Sequence, residues 1–259
     1  MNLFKNLKKE EVFVGISVVA LTYFLYSNFS SKGSLKKITS KKPENILIIG
    51  DSISAIFFAN LKNLVKTQWS YLIKEDLKNK DINVDILALG GMTSKWMIGS
   101  LKDYLEGKDT NSSQASSVTF NFKDDFKMSG IKKYDIVIIY TGVNDSFNGA
   151  NEKGYQYVQE MVDIGNSMGA KVYLVLGYEK DSKFMNYQLM QPNRYIKTQD
   201  GYIPLVENYQ RWQRELPTKI KGAEFIPKFN LNAQTGDGSH PNASAHILIK
   251  NAVLNKIDV

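Results

Sequence analysis

Three observations predict an α/β fold built on a parallel sheet. Short apolar runs recur along the chain, four of them closing on glycine or on Thr-Gly. Segments of helical periodicity separate them, which is the alternation that lays helices over both faces of a parallel sheet. The chain has 259 residues, enough for one good-sized core. The expectation is a three-layer α/β/α domain with five parallel strands, preceded by an N-terminal hydrophobic helix.

The elements follow in order. Asn45–Ile49 (NILII) ends at Gly50 and reads as a buried strand, because apolar residues on consecutive positions suit a sheet covered on both sides. Ile53 to Asn79 carries mostly helical patterning, broken around Thr67. Val84–Leu89 is the second strand, ending at Gly90-Gly91, and Ser94–Leu105 is helical. Asp135–Tyr140 is the third strand, ending at Thr141-Gly142. A helix over Glu152–Met168 stops at Gly169. Lys171–Leu176 is the fourth strand, Leu205–Leu216 a helix, and Glu224–Ile226 a short fifth strand. Pro241 to Asn255 closes the chain as a helix with the proline in its first turn, where a missing N–H costs little. Right-handed crossovers between successive strands give a flavodoxin-like sheet.

Two stretches interrupt this rhythm. Residues 106–133 are polar and rich in Ser and Asn; residues 178–203 are rich in Tyr, Phe, Met and Asn. Connections of this length are functional or disordered more often than idle. Tyr178, Phe184, Tyr187, Tyr195 and Tyr202 are read either as loop packing or as a platform for substrate.

Charge is unevenly spread. The net charge is +7, from 33 basic and 26 acidic side chains. Residues 1–42 hold eight lysines and two glutamates, a net of +6, which leaves +1 on the remaining 217 residues. A near-neutral body argues against a nucleic-acid face. The lysines instead bracket Val12–Phe29, eighteen residues without a formal charge. That length sits at the short end of a membrane-spanning helix. An uncleaved anchor (1–29) is expected, then a Ser/Lys-rich tether (30–44) and a catalytic domain (45–259). A cleaved signal peptide and a soluble helix are the rival readings. An anchor would place the body in the periplasm or outside the cell, although the lysine count after the run favours the cytoplasmic side.

The chemistry lies at the strand ends. Asp237 stands three residues before His240 in a loop, close enough to accept from that imidazole and leave Nε2 for a nucleophile's proton. Gly50-Asp51-Ser52 supplies a serine just past the first strand. A serine hydroxyl is a poor nucleophile until a base takes its proton. In an open parallel sheet the carboxyl ends of the strands form the binding rim, so segments nearly 190 residues apart could converge there. There is no cysteine and there are two histidines, which excludes thiolate chemistry and argues against zinc. No metal or cofactor is expected. His246, in the last helix, is read as structural.

Four blocks carry a family likeness: GDSIS at 50–54, GGMTS at 90–94, GVND at 142–145 and DGSHPN at 237–242. In this order they resemble the SGNH hydrolases, the GDSL-type esterases and lipases, over about residues 45–255. The resemblance implies Ser52 as nucleophile, His240 as general base and then acid, and Asp237 as its orienting partner. It implies an oxyanion hole of Ser52 N–H, Gly91 N–H and the Asn144 side-chain amide, with Gly90 as the alternative to Gly91. It implies a serine esterase acting on small acyl esters, acetyl esters of a glycan or envelope polymer foremost. Lipid or thioester hydrolysis and a catalytically silent binding module are the alternatives. A dinucleotide site after the first strand fails on detail, because only Gly50 of the three required glycines is present and Asp51 would oppose a pyrophosphate.

Overall fold

The computed structural model describes residues 42–55, 67–108, 129–177, 195–198, 201–230 and 241–259. The apolar run at 12–29, most of the tether, and Asp237 and His240 lie outside the described residues. Among those described, no helix is long and apolar enough to cross a membrane.

The elements are β1 (Asn45–Gly50), α1 (Trp69–Lys78), β2 (Asn83–Ala88), α2 (Ser94–Leu105), β3 (Ile136–Tyr140), α3 (Val143–Phe147), α4 (Asn151–Ser167), β4 (Lys171–Val175), β5 (Tyr195–Thr198), β6 (Gly201–Pro204), α5 (Leu205–Lys219), β7 (Glu224–Ile226) and α6 (Ala243–Ile257). Five strands form one parallel sheet in the order β2-β1-β3-β4-β7. This is the expected flavodoxin-like order, with β7 as its fifth strand. Residues Pro43–Val259 form one compact unit.

The alternation along β1 shows why both faces need cover. Ile46 and Ile48 enter one core with Trp69, Ile73 and Leu77 of α1 and Ile249 and Val253 of α6. Leu47 and Ile49 enter a second core with Met97 and Leu101 of α2 and Val158, Met161 and Val162 of α4. Successive side chains of a strand point to opposite faces, so one continuous apolar run feeds two layers. Helix α5 serves both cores, Tyr209 packing into the first and Trp212 into the second.

Four differences from the sequence reading have physical causes. Ile53 and Ser54, read as the start of the helical stretch, belong to a turn at 51–54; residues 56–66 lie outside the described residues, and α1 begins at Trp69, just past the break expected around Thr67. The last helix starts after Pro241, because the Asn242 side chain accepts from Ala245 N–H at 3.0 Å and caps it. Helix α5 runs past Pro217 to Lys219; the turn closes with Ile220 N–H on Leu216 O at 3.0 Å, which needs no N–H from the proline. Part of the stretch read as irregular is an antiparallel hairpin, β5 with β6. Tyr195 and Tyr202 are exposed on it, while Ile196 packs against the first core; Tyr178, Phe184 and Tyr187 lie outside the described residues.

Candidate active site

The sheet changes direction between β1 and β3, with β2 on one side of β1 and β3 on the other. Binding crevices open at the carboxyl ends of strands flanking such a switch point. Gly50, the last residue of β1, is level with Ala88 of β2 and Tyr140 of β3. Ser52, Gly91 and Asn144 all follow within four residues of that rung.

Each exit is shaped by its own residues. After β1, Asp51 O accepts from Ser54 N–H at 3.0 Å and Asp51 Oδ1 accepts from Ile53 N–H at 2.9 Å. The aspartate thus closes the turn around Ser52, which is half-buried. Ser70 Oγ donates to Ser54 O at 2.6 Å and pins the turn to α1. A side chain at position 50 is excluded, because a Cβ there would lie 2.4 Å from Ser54 Oγ.

After β2, Met92 N–H donates to Leu89 O at 3.3 Å, closing a turn with Gly91 at its third position and φ +77°. That is the type II geometry in which glycine is favoured. Leu89 N–H in turn donates to Gly50 O at 3.3 Å. Gly90 faces the serine: a Cβ on it would sit 4.0 Å from Ser52 Cβ.

After β3, Gly142 has φ +115° and lies under the Trp212 indole. Asn144 follows in the first turn of α3, and its Nδ2 donates to Met92 O at 3.0 Å. An amide nitrogen carries two N–H groups. One is engaged by the neighbouring exit loop, and the other has no acceptor among the described residues.

Two carboxylates are buried at this rim. Asp145 accepts from Ser94 N–H at 3.2 and 3.0 Å on its two oxygens, from Ser94 Oγ at 2.6 Å and from Thr141 Oγ1 at 3.3 Å. Burial holds its carboxyl above the ordinary range, against the opposing pull of the Ser94 and Thr141 hydrogen bonds. Burial also pushes Asp51 up to about 7, with the Asp145 charge adding to the rise and the Ile53 N–H opposing it. Asp51 Oδ2 has no hydrogen-bond partner among the described residues.

The structure thus brings Ser52, Gly90, Gly91 and Asn144 to one stretch of the rim. Asp237 and His240 lie outside the described residues; the chain is described again from Pro241, just before the cap of α6. His246 is buried, and its Nδ1 accepts from Trp69 N–H at 3.3 Å, tying α6 to α1. Among the described residues no group of three His, Cys, Asp or Glu side chains could hold a metal ion. Sequence reasoning singled out neither Asp145 nor Ser94; the one available signal was that both belong to the family-like blocks.

No protein-family model and no curated protein matches the sequence. Solved structures do match the fold. The psychrotrophic esterase EstA from Pseudoalteromonas sp. aligns with a TM-score of 0.52 at 19% identity, over 83% of this chain and 97% of that one. TesA aligns at 0.52 and 20% identity, over 82% of this chain and 96% of that one. The acetylxylan esterase Axe2 from Geobacillus stearothermophilus aligns at 0.53 and 15% identity, over 83% and 94%. The chain shares the fold of these solved structures, and two of the three are named as esterases, the activity that the resemblance of its four sequence blocks implied.

Proposed function

We propose that this chain is a serine esterase that removes acyl groups, acetyl foremost, from a carbohydrate or cell-envelope polymer. His240, oriented by Asp237, takes the proton of Ser52 Oγ as that oxygen attacks the ester carbonyl. The tetrahedral oxyanion is held by Ser52 N–H, Gly91 N–H and Asn144 Nδ2. Its collapse releases the alcohol, which takes its proton from His240 and leaves an acyl group on Ser52. Water, deprotonated by the same imidazole, then frees the acid.

One observation carries the reading. The Asn144 amide is fixed on Met92 O at 3.0 Å, beside the Gly90-Gly91 turn that borders Ser52. An uncharged amide and a glycine N–H next to a serine are the donors a developing oxyanion needs. Neighbours of like fold whose names say esterase and acetylxylan esterase support the substrate class. The run at 12–29 would anchor the catalytic unit at the membrane, with the body on the periplasmic or outer side, where an envelope ester would be met.

The test is hydrolysis of p-nitrophenyl acetate by the full chain and by Ser52→Ala, together with labelling by a fluorophosphonate. The substitution should abolish both turnover and labelling while leaving the unfolding transition in place. Turnover that survives in Ser52→Ala would overturn the assignment.

A further inference from the structure

We propose that Asp145 is a positioning residue for the oxyanion hole, clamping the Gly90–Ser94 segment onto the first turn of α3 and so setting the spacing of two of its three donors, Gly91 N–H and Asn144 Nδ2. What those donors do rests on the esterase reading above; the clamp itself rests on geometry alone.

Among the described residues nothing stands where a side chain on Gly91 would point. The glycine is exposed, and an added Cβ would meet no atom within 4 Å. Its position is therefore inherited from its chain neighbours. On one side Leu89 N–H is held by Gly50 O. On the other, two consecutive residues of α3 grip two alternate residues of the exit loop. Asn144 Nδ2 reaches Met92 O, and the Asp145 carboxylate takes both the N–H and the hydroxyl of Ser94. Asp145 and Ser94 are 51 residues apart in sequence, so this is a tertiary strap.

The residue type matters. A carboxylate is acceptor-only and can receive Ser94 N–H, Ser94 Oγ–H and Thr141 Oγ1–H together, whereas an amide in its place would turn a donor toward one of them. The clamp is also enclosed. Asp145 is 2% exposed. Gly154 of α4 makes room for it, since a Cβ there would stand 3.1 Å from Asp145 Oδ1 and 2.6 Å from the Trp212 ring.

The experiment compares Asp145→Ala and Ser94→Ala in the full chain, each alone and in an Asn144→Ala background, with p-nitrophenyl acetate. Removing an oxyanion donor outright costs about 10²–10³ in turnover. Asp145→Ala should lower kcat by about 10²-fold with KM within about threefold, and Ser94→Ala, which keeps its N–H, by about tenfold. In the Asn144→Ala background each should cost less than about threefold more, because the groups act as a unit. Losses that multiply across the pair, or that fall on KM alone, overturn the clamp. If Asp145→Ala does not fold, Ser94→Ala carries the kinetic test. A second readout needs no turnover: in amide NMR spectra of Ser94→Ala, the Gly91 and Met92 N–H and the Asn144 side-chain NH₂ signals should move from their wild-type positions. Unmoved signals overturn the clamp even in an active enzyme, and moved signals in a chain without esterase activity uphold the clamp while sinking the esterase reading.

Discussion

Asp85 and Asp145 are both carboxylates buried in the same domain, and they face the same problem: a charge removed from water needs donors. Asp85 lies in the middle of the edge strand β2. It accepts from Tyr134 OH at 2.7 Å, from Ser129 N–H at 2.9 Å, from Ser129 Oγ, and at 3.4 Å from Tyr104 OH. Burial holds the Tyr134 hydroxyl well above the usual phenol range, with the Tyr104 and Asp85 contacts adding to the rise, so it remains a donor at any working pH. These donors come from α2 and from the segment that leads into β3. Asp85 therefore fastens the approach to the sheet. Asp145 draws its donors from the exits of β2 and β3, so the same chemistry aligns the rim. What a buried carboxylate does is decided by which backbone its donors belong to.

The rim also differs in being less well satisfied. Asp51 keeps one oxygen with no partner among the described residues and stands in the field of Asp145. Its folded-state value of about 7 lies above the unfolded value near 3.8. The folded chain thus holds the extra proton between those limits, and the stability contribution falls as pH rises from about 4 to about 7. Asp51→Asn keeps an acceptor for Ile53 N–H and removes the charge. At pH 8 it should stabilise the protein by roughly 3–5 kcal/mol, and the gain should vanish near pH 4. Urea denaturation across that range measures it. A gain that is independent of pH would mean that Asp51 is not the titrating group.

At Asp85 the same substitution should act in the opposite direction. The introduced amide would place an NH₂ among hydroxyls and an N–H that now share a carboxylate, and a charged acceptor is worth more than a neutral one. Asp85→Asn should cost about 2 kcal/mol in urea unfolding. Turnover of p-nitrophenyl acetate should stay within about twofold of wild type, because none of its donors belongs to a rim loop. A fall in kcat of the size expected for Asp145→Ala would erase the distinction between the two sites.

The strands were legible because each is a run of apolar residues of strand length ended by a turn, and the run at 45–49 needed only Gly50 added. Helix α2 fell where its periodicity put it. Helix α3 was missed, since five residues give no period to read and its N-cap is Gly142 in a left-handed conformation. The hairpin was missed because its strands have four residues each and exposed tyrosines on the outer face, which reads as aromatic-rich loop. At the site, Ser52, Gly91 and Asn144 could be named from short local blocks. The roles of Asp145 and Ser94 could not, because each depends on a partner 51 residues away. Asp85 was hidden differently: one acid inside VDILAL looks like a blemish in a strand until Tyr104, Ser129 and Tyr134 are seen to surround it.

The smallest expected effect tests whether the start of α6 behaves like the rim or like the body. Asn242 caps α6 through Ala245 N–H at 3.0 Å, and Ser244 Oγ donates to the same oxygen at 2.9 Å. Its neighbours Ala245, Ile249 and Val253 are fully buried in the first core, so the helix is held by packing whether or not its first turn is capped. Asn242→Ala should therefore cost only about 1 kcal/mol in urea unfolding. The cap nevertheless lies two residues after His240, and under the proposed mechanism the start of α6 sets where that imidazole can stand. A stability loss of that size with kcat lowered more than about tenfold would show that the cap positions the base. The same loss with kcat unchanged would place Asn242 with Asp85, among the groups that hold the fold without steering the chemistry.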